Sequence, residues 1–438
     1  MFCNIEINRA AARNMNFKVA CETFRKRLTA LFGEAAEVVV ETAASGLTES
    51  QIIVLTNAIA ASGEKLEIPS ELAPMTDVPS TGGPASLSTL LCPLLIASRG
   101  FKVPKLSATG SIAGGIDTMG VIEGFNTKLA GQAFIKALAS ANVTHAEPSE
   151  DFCHADKYII ECRRKRKMMA NPALAASSLL AKKLAVPGSS ACFDFRVGTT
   201  GNIGANFESA RQTAKLFQSI AKRLGIKISV VLTDNNSFPC SALGRLESLN
   251  LLWALIAKER PVGKLDSEHL QTCVRLSDYA CTLADPSSTP TKHEKNLYDL
   301  LRTGHVLETF EKHLAAQGTD LEQFKNVMKL RETMTRTLIF APETGFWIPP
   351  NLDFVKEWFK QCHKTVEKNI RLTAPVAAKQ LGFRLLADPG SRVSKGDPVI
   401  EVRFPSNTTL ILKHELLVGS IVPSAVSKIN HSWEYISP

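Results

Sequence analysis

The sequence predicts an α/β protein with a mixed or parallel sheet, and three observations support this fold class. The segments Ser190–Val197 and Ile226–Thr233 are apolar and β-rich, and the amphipathic segment Asn206–Leu224 lies between them. A strand, a helix and a strand at this spacing form a βαβ unit, which implies parallel strands with helices on the faces of the sheet. Residues 1–64 have a helical pattern instead, and after Pro342 the chain changes to short β segments.

The elements of the first half follow in chain order. Apolar positions recur at helical spacing in Phe17–Leu31 and Ile52–Ile59, and Thr48 and Gln51 have the spacing of a capping box. Four prolines then exclude one continuous helix: Pro69, Pro74, Pro79 and Pro84.

Beyond these prolines, a helix, a strand and one further helical segment are expected. The run Ser88–Ser98 is helical in pattern with Pro93 as its weak point, and Val103–Leu106 is a short strand. That strand opens onto the glycine-rich segment Ser107–Gly115, and residues 155–187 are helical again.

The second half is predicted to be mostly helical before its β-rich end. Helical patterns cover four segments: Arg245–Lys258, Ser267–Leu283, Thr291–Leu314 and Leu352–Asn369. Turn residues in Gly390–Pro398 predict a β-hairpin there. The chain shows no internal repeat and no low-complexity tract.

Length and composition exclude several classes of protein. The 438 residues, 45% of them apolar, are enough for two or three domains and exclude a disordered chain. The net charge of +9 is spread over a large surface, and the basic run Arg163–Lys167 has no interleaved aromatics, so we interpret it as a solvated helical face and expect no nucleic-acid partner. No apolar stretch reaches membrane-spanning length, and no membrane partner is expected.

The ten cysteines are scattered, without a CxxC pair or a Cys/His cluster of zinc spacing. We therefore expect reduced thiols in the cytoplasm, no metal site and no cofactor.

Two glycine-rich loops are the main functional signal: Ser80–Gly83 and Ser107–Gly115. Backbone N–H groups of such loops can surround an anion, but both segments could equally be tight strand-to-helix turns. Lys182 ends an otherwise uncharged helical segment, and its ammonium either reaches solvent or points into a cleft. Both questions stay open on the residues alone.

Several motifs, in order along most of the chain, resemble the thymidine and pyrimidine-nucleoside phosphorylases and their AMP phosphorylase relatives. They are Leu55–Gly63, Asp77–Gly83, Val103–Ser107, Gly114–Met119, Ala155–Lys157, Ser178–Leu184, Asp194–Gly198, Leu232–Asn236 and Lys395–Pro398. Only the first 45 residues look unlike that family.

The resemblance implies a division into three domains. A small all-α domain on the base side would comprise residues 1–68 and 155–187, and a large α/β domain on the phosphate side 69–154 and 188–337. A C-terminal α+β domain would comprise residues 338–438. It also implies closure of a cleft by hinge motion and a homodimer formed through the α domain.

The resemblance further implies site residues for phosphorolysis, in which phosphate displaces the base from C1′ of the sugar. The base-binding positions match Arg163, Ser178 and Lys182. The phosphate-binding positions match Ser80, Thr81, Gly82, Gly83, Thr89 and Ser107. The matching positions identify no catalytic residue.

Two departures concern the phosphate side. The family has Asp-Lys-His before Ser-Thr-Gly-Gly, and here the stretch is Asp77-Val78-Pro79, so a cation and a histidine are missing. Matching the Gly-Gly pairs also puts Ile116 where the family has a phosphate-binding threonine. We therefore predict poor use of inorganic phosphate, unless another basic residue such as Lys105 reaches the pocket.

The function expected is that of a nucleoside-phosphorylase-like pentosyltransferase. Its partners would be a pyrimidine-type nucleoside or nucleotide and phosphate, with altered use of the phosphate. Two alternatives stay open. One is a nucleoside-binding regulatory or inactive protein, and the other is an enzyme with a different acceptor such as water.

Overall fold

The computed structural model describes residues 15–64, 67–112, 114–186, 189–285, 287, 290–369, 376–406, 408, 410, 412, 414–424 and 433–438. Within these residues the protein is a mixed α/β protein, as predicted. The helical expectation for residues 1–14 lies outside the described residues.

The helices, in chain order, are α1 Phe17–Arg25, α2 Phe32–Ala44, α3 Glu49–Ala60, α4 Ser88–Ser98, α5 Gly115–Met119, α6 Gly131–Ala141, α7 His154–Lys165, α8 Pro172–Leu184, α9 Phe207–Arg223, α10 Arg245–Ile256, α11 Lys264–Ala284, α12 Pro290–Arg302, α13 His305–Ala316, α14 Leu321–Glu332, α15 Leu352–Asn369 and α16 His414–Leu417. The strands are β1 Met75–Asp77, β2 Val103–Leu106, β3 Val143–Ala146, β4 Ser189–Val197, β5 Ile228–Asp234, β6 Ala242–Leu243, β7 Thr335–Phe340, β8 Gly345–Ile348, β9 Gly382–Leu385, β10 Arg392–Val393, β11 Pro398–Phe404, β12 Ser420–Val422 and β13 Trp433–Ile436.

Helices α1, α2 and α3 pack with α7 and α8 around an apolar core that includes Phe24, Phe32 and Leu55. The predicted capping box begins α3, because the Gln51 amide donates to the Thr48 hydroxyl at 3.3 Å and the Gln51 side chain accepts from the Thr48 amide at 2.9 Å. Asn171 caps α8, whose first residue is Pro172, so the turn between α7 and α8 ends at a defined residue.

The central sheet has the strand order β1-β4-β5-β13, and β1, β4 and β5 are parallel. The predicted βαβ unit is confirmed as β4, α9 and β5. The parallel pair β2-β3 joins this layer beside β1, where Met75 and Lys102 form a parallel bridge. The carboxyl ends of β1 and β2 therefore lie at the same edge, from which two loops leave for the cleft described below.

Helix α9 packs against β4 and β5 on one face of this layer, and a second group of helices, which includes α4 and α11, covers the other face. Helix α4 is buried along most of its length and contains Pro93, as the sequence predicts, and it packs against α11 and α13. These helices share one large core with the C-terminal strands, which includes Leu95, Leu249 and Trp347. The helices thus hold β1 and β2, and the loops after them, from behind.

The predicted hairpin over Gly390–Pro398 is wrong. Strand β10 pairs with β8, while β11 pairs with β7 on one side and β9 on the other. From Val399 to Phe404 every residue of β11 is buried, and this strand lies between β7 and β9, so neither of its edges is left for β10.

Strands from the predicted second and third domains share sheets. Strand β6 pairs with β9, and β13 at the end of the chain adds to β5 of the central sheet in antiparallel orientation. In β13 the Arg275 guanidinium carbon lies over the Trp433 ring, 4.9 Å from the ring centroid, and the Tyr435 ring stacks on Tyr279. The three domain limits stay a prediction.

Three further observations concern the described part of the chain. Its nine cysteines are all free and buried. It contains no group of three His, Cys, Asp or Glu side chains that could hold a metal ion. It also contains no helix with the length and apolarity that crossing a membrane requires.

Candidate active site

One cleft of about 200 Å³ brings together every residue predicted for the site. One wall comes from α7 and α8, and the other, the loop side, comes from the loops that follow β1 and β2 together with the first turn of α4. The wall of helices carries Arg163, Ser178 and Lys182. The loop side carries Ser80, Thr81, Gly82, Gly83, Thr89 and Ser107.

The first loop, residues 78–83, is fastened to β4. The Thr81 amide donates to the Asp194 carbonyl at 3.1 Å, and the Thr81 hydroxyl accepts from the Arg196 amide at 2.9 Å. Gly82 and Gly83 have φ of 106° and 102°, and a Cβ on them would lie 2.6 and 2.8 Å from the amide groups of Asn202 and Asn235. The loop therefore requires glycine at both positions, and the Thr81 hydroxyl serves the loop itself.

The other residues of this loop, Val78, Pro79 and Ser80, bring no charged side chain to the cleft. Val78 is fully buried and packs in the large core, while Pro79 lines the cleft. The Ser80 hydroxyl has no protein partner in the hydrogen bonds that the structure describes, so it can donate into the cleft. The side chains of the first loop that line the cleft carry no positive charge.

The second loop, which begins at Ser107, is held by a carboxylate. The amides of Gly110 and Ser111 donate to Asp117 at 2.8 and 2.9 Å, and Arg245 approaches Asp117 at 3.3 Å. From the opposite wall, the Arg164 guanidinium donates to the Thr109 carbonyl. This contact links α7 to the loop across the cleft.

A buried ion-pair triad lies beneath the first loop. The Lys105 ammonium donates to Asp77 at 2.9 Å and to the Val78 carbonyl at 2.8 Å, and the Lys183 ammonium donates to the other Asp77 oxygen at 2.7 Å. Burial alone would raise the pKa of the Asp77 carboxyl, but the two lysines outweigh it and hold that pKa well below its usual range. Burial lowers the pKa of the Lys183 ammonium against the pull of Asp77.

Two buried histidines lie behind the loop side. His145, paired in register with Lys105, places its Nδ1 3.3 Å from His313 Nε2 and its Nε2 3.3 Å from the Thr89 carbonyl oxygen. Burial, helped by Lys105, lowers the pKa of His145 to about 3, and burial holds the pKa of His313 well below its usual value. Both imidazoles are therefore neutral at pH 7.

On the helical wall, Lys182 and Ser178 act together. They are one helical turn apart on α8, and the Lys182 ammonium donates to the Ser178 carbonyl at 3.0 Å and to its hydroxyl at 3.1 Å. The same ammonium is paired with the buried Asp156 carboxylate, whose second oxygen has no hydrogen-bond partner among the described residues. Lys182 lines the cleft, and its ammonium is engaged by one carboxylate and by both oxygens of Ser178.

Arg163 has a different environment from the rest of its basic run. Residues 164–167 are exposed, as expected of a solvated face, but Arg163 is buried. Its guanidinium donates to the carbonyls of Met169 and Met168 at 2.6 and 3.4 Å, and burial lowers its pKa to about 10. Arg163 therefore fastens the turn between α7 and α8 while lining the cleft.

The sequence interpretation missed the ion pairs that support these walls. It placed Asp77 and Asp156 only within motifs, and it raised Lys105 only as a possible substitute cation. A lone lysine in the otherwise apolar strand β2 was the available signal, because a lysine is rarely buried without a partner.

Comparison with known proteins agrees with the resemblance drawn from the motifs. No family model matches the chain. Its sequence is 25% identical to a pyrimidine-nucleoside phosphorylase of Geobacillus stearothermophilus over 362 residues, which are 82% of this chain and 81% of the relative. It is 25% identical to that of Bacillus subtilis (strain 168) over 351 residues, 79% of this chain and 78% of the relative.

A solved structure supports the fold. The crystal structure of anthranilate phosphoribosyltransferase from Thermus thermophilus matches with a TM-score of 0.53 and 15% identity, over 71% of this chain and 98% of that one. At this identity the match concerns the fold alone, and it agrees with the mixed α/β class.

Proposed function

We propose that this protein is a pentosyltransferase that cleaves the glycosidic bond of a pyrimidine-type nucleoside or nucleotide and uses free orthophosphate poorly. One observation carries the proposal: a single cleft joins a wall of charged donors to two glycine-rich loops at the carboxyl ends of β1 and β2. The sequence similarity to pyrimidine-nucleoside phosphorylases supports the same reaction class.

The helical wall suits the base of the substrate. The Ser178 hydroxyl and the Arg163 guanidinium present O–H and N–H donors, and the Lys182 ammonium, which donates to the Ser178 hydroxyl, adds a positive charge behind them. A pyrimidine ring offers carbonyl oxygens as acceptors. When the glycosidic bond breaks, the departing base becomes negatively charged. Donors fixed in advance by Asp156 and by backbone carbonyls can stabilise that charge without reorganising.

The loop side suits the acceptor. Ser80, Ser107 and Thr89 are hydroxyl residues around the space that an anion would occupy, and the loop amides add donors. Lys105 also lines the cleft, but its ammonium is bound to Asp77 and to the Val78 carbonyl. Bonds from neutral donors are about half as strong as charge-assisted bonds, so we expect the hydroxyl and amide groups to hold phosphate weakly. Catalysis here would consist mainly of positioning the acceptor against C1′ of a sugar that develops oxocarbenium character.

The described residues around the cleft favour transfer over hydrolysis. Among the described residues that line the cleft, only Asp77 carries a carboxylate. This carboxylate is bound to two lysines, and its pKa is strongly lowered. It is therefore a poor general base for activating water. The described residues that line the cleft include no histidine that could assist the leaving base. The second candidate function is therefore a protein that binds a nucleoside without turning it over.

The proposal extends to the assembly and location of the protein. A homodimer through α1–α3 is supported by two exposed apolar side chains on this part, Leu28 and Val54, at 45% and 47% exposure. We place the protein in the cytoplasm because its described cysteines are free thiols. The molar mass in solution, from light scattering, tests the dimer.

The test is release of free base from uridine, thymidine, cytidine and uridine 5′-monophosphate, each with and without phosphate, followed by chromatography. We expect base release from at least one pyrimidine substrate, abolished in Lys182→Met and unchanged in the matched variant Lys165→Met, whose lysine is exposed on α7. Binding of these compounds without release of base from any of them would support the non-catalytic candidate.

A further inference from the structure

We infer that His145, a buried residue of strand β3, positions the loop side of the cleft for the acceptor by donating a hydrogen bond to the carbonyl of Thr89. His145 is not among the described residues that line the cleft, so it acts through Thr89 and the second glycine-rich loop. It is therefore a positioning residue. The inference rests on the proposed function for the identity of the acceptor.

The first argument is a gap in the hydrogen bonds of helix α4. In an α-helix each carbonyl accepts from the amide four positions later, and for Thr89 that position is Pro93, which has no N–H. The His145 Nε2 lies 3.3 Å from the Thr89 carbonyl oxygen. Because backbone carbonyls shielded from water are nearly always paired, the imidazole takes the place of the amide that Pro93 lacks.

The direction of this bond determines the protons of both buried histidines. A carbonyl only accepts, so the His145 Nε2 carries the hydrogen, and in the neutral ring Nδ1 is then an acceptor. The His313 Nε2, 3.3 Å from the His145 Nδ1, is therefore the donor. This leaves the His313 Nδ1 without a hydrogen, and that buried atom has no hydrogen-bond partner among the described residues.

The backbone of His145 is held firmly. Strand β3 pairs with β2 along its length, and the Gln317 side chain accepts from the His145 amide at 3.0 Å and donates to its carbonyl at 3.0 Å. The same side chain donates to the Asn126 carbonyl at 2.6 Å. The imidazole is therefore mounted on a strand and a fixed glutamine, as a group that positions others requires.

The bond lies where two parts of the cleft lining meet. Thr89, in the first turn of α4, and Gly115, at the end of the second glycine-rich loop, both line the cleft. A Cβ on Gly115 would lie 2.9 Å from the Thr89 carbonyl oxygen and 3.2 Å from the His145 Nε2. Because Gly115 packs directly on the bond, loss of the imidazole should displace both parts. The helical wall with Lys182 lies opposite and should not be affected.

The test measures binding of inorganic phosphate and of uridine by calorimetry to the full chain and to His145→Leu, His145→Gln and His305→Leu. Leucine removes the N–H group, whereas the glutamine amide can donate from about the same place. His305 is the matched control, since it is exposed and lies on α13 with His313. We expect His145→Leu to weaken phosphate binding roughly fivefold and to leave uridine binding unchanged. His145→Gln should retain most of the phosphate affinity, and His305→Leu should change nothing.

A second substitution distinguishes this bond from general packing. Pro93→Ala returns an N–H to the position from which the Thr89 carbonyl accepts in a regular helix, so His145→Leu should cost little phosphate affinity in the Pro93→Ala background. An equal loss in both backgrounds would mean that His145 acts through packing alone and would overturn the inference.

A spectroscopic measurement tests the bond without reference to activity. NMR of the side-chain nitrogens of the unmodified chain should show the hydrogen of His145 on Nε2 and that of His313 on Nε2. A hydrogen on the His145 Nδ1 instead would refute the inference.

The two ligands separate the inference from the proposed function. Uridine binding together with a phosphate affinity that does not depend on His145 refutes the inference and leaves the proposed function intact. Failure of phosphate to bind the unmodified chain also refutes the inference, because no acceptor is then positioned. Binding of phosphate that depends on His145, without binding of uridine or any other nucleoside, refutes the proposed function instead.

Discussion

The two walls of the cleft hold their charge in different ways. On the helical wall, Lys182 has a carboxylate to itself, Asp156, and the distance between them along the chain is 26 residues. On the loop side, the Asp77 carboxylate pairs with two ammonium groups, those of Lys105 and Lys183. In the first loop, Val78 packs in the core at the position where the resembled family has a lysine. The Lys182 charge on the helical wall is therefore matched by one carboxylate, whereas on the loop side two ammonium groups share the Asp77 carboxylate.

Under the proposed function, this difference means that the half of the site that binds the base is kept while the half that binds the acceptor has changed. The helical wall depends on the helical turn from Ser178 to Lys182 and on the ion pair between Lys182 and Asp156, and these residues lie in segments that resemble the family motifs. The loop side depends on a strand residue reaching beneath a loop, which no loop motif describes. The predictions below test whether the two halves are separable in this way.

The largest effect is expected at the helical wall. Lys182→Met should weaken nucleoside binding by about 1.5–3 kcal/mol, because the positive charge bonded to the Ser178 hydroxyl is lost from the helical wall. The same change leaves the Asp156 carboxylate buried without its cation and should lower the free energy of unfolding by about 3–5 kcal/mol. Calorimetric titration with uridine and urea denaturation measure the two effects.

A double variant separates binding from stability at this wall. Lys182→Met combined with Asp156→Asn removes the unpaired charge, so stability should recover while nucleoside affinity stays low. Phosphate binding should be unchanged in the double variant if the two walls are independent. Recovery of nucleoside affinity together with stability would contradict the assignment of Lys182 to the base.

The pH dependence of stability is the next expected effect and concerns the loop side. The pKa of His145 is about 3 in the folded protein and near 6.5 when unfolded, so the unfolded state binds more protons between these values. Stability should therefore fall as the pH decreases below about 6.5, by up to about 1.4 kcal/mol per pH unit for each buried histidine. His313, whose pKa is also lowered by burial, adds to the same window.

Urea denaturation at pH 7 and at pH 5 measures this slope. His313→Gln should reduce it, and His305→Gln, which changes an exposed histidine, should leave it unaltered. The Asp77 carboxyl has a lowered pKa and loses its contribution only as the pH falls below its unfolded value near 3.9, so it does not affect this window. A stability that is flat from pH 7 to pH 5 would contradict the burial of neutral histidines behind the loops.

The fold could be predicted where the pattern is local, and the site only in part. The capping box at Thr48 and the βαβ unit depend on residues close in sequence, so periodicity and spacing identify them. The hairpin at Gly390–Pro398 failed because turn residues do not determine which partner a buried strand takes. The triad could not be predicted, because Lys105 and Lys183 lie 28 and 106 residues from Asp77 and only the tertiary fold joins them.

The smallest effects separate two hydroxyl groups of the loop side. Ser107→Ala should weaken phosphate binding by about 0.5–1.5 kcal/mol without changing stability, because its hydroxyl has no described protein partner. Thr81→Val should do the reverse, since the Thr81 hydroxyl accepts from the Arg196 amide and fastens the loop to β4. Calorimetry with phosphate and thermal unfolding distinguish the two variants, and equal behaviour would show that the loop hydroxyls are not specialised.

The most direct test of the account is the initial rate of uracil release from saturating uridine as the phosphate concentration is raised. We expect a slow rate that is still rising at low millimolar phosphate. The reason is that the Lys105 ammonium is already paired with Asp77, and the hydroxyl groups that line the loop side are neutral. A rate that saturates at low millimolar phosphate, with rapid turnover by the unmodified protein, would contradict it.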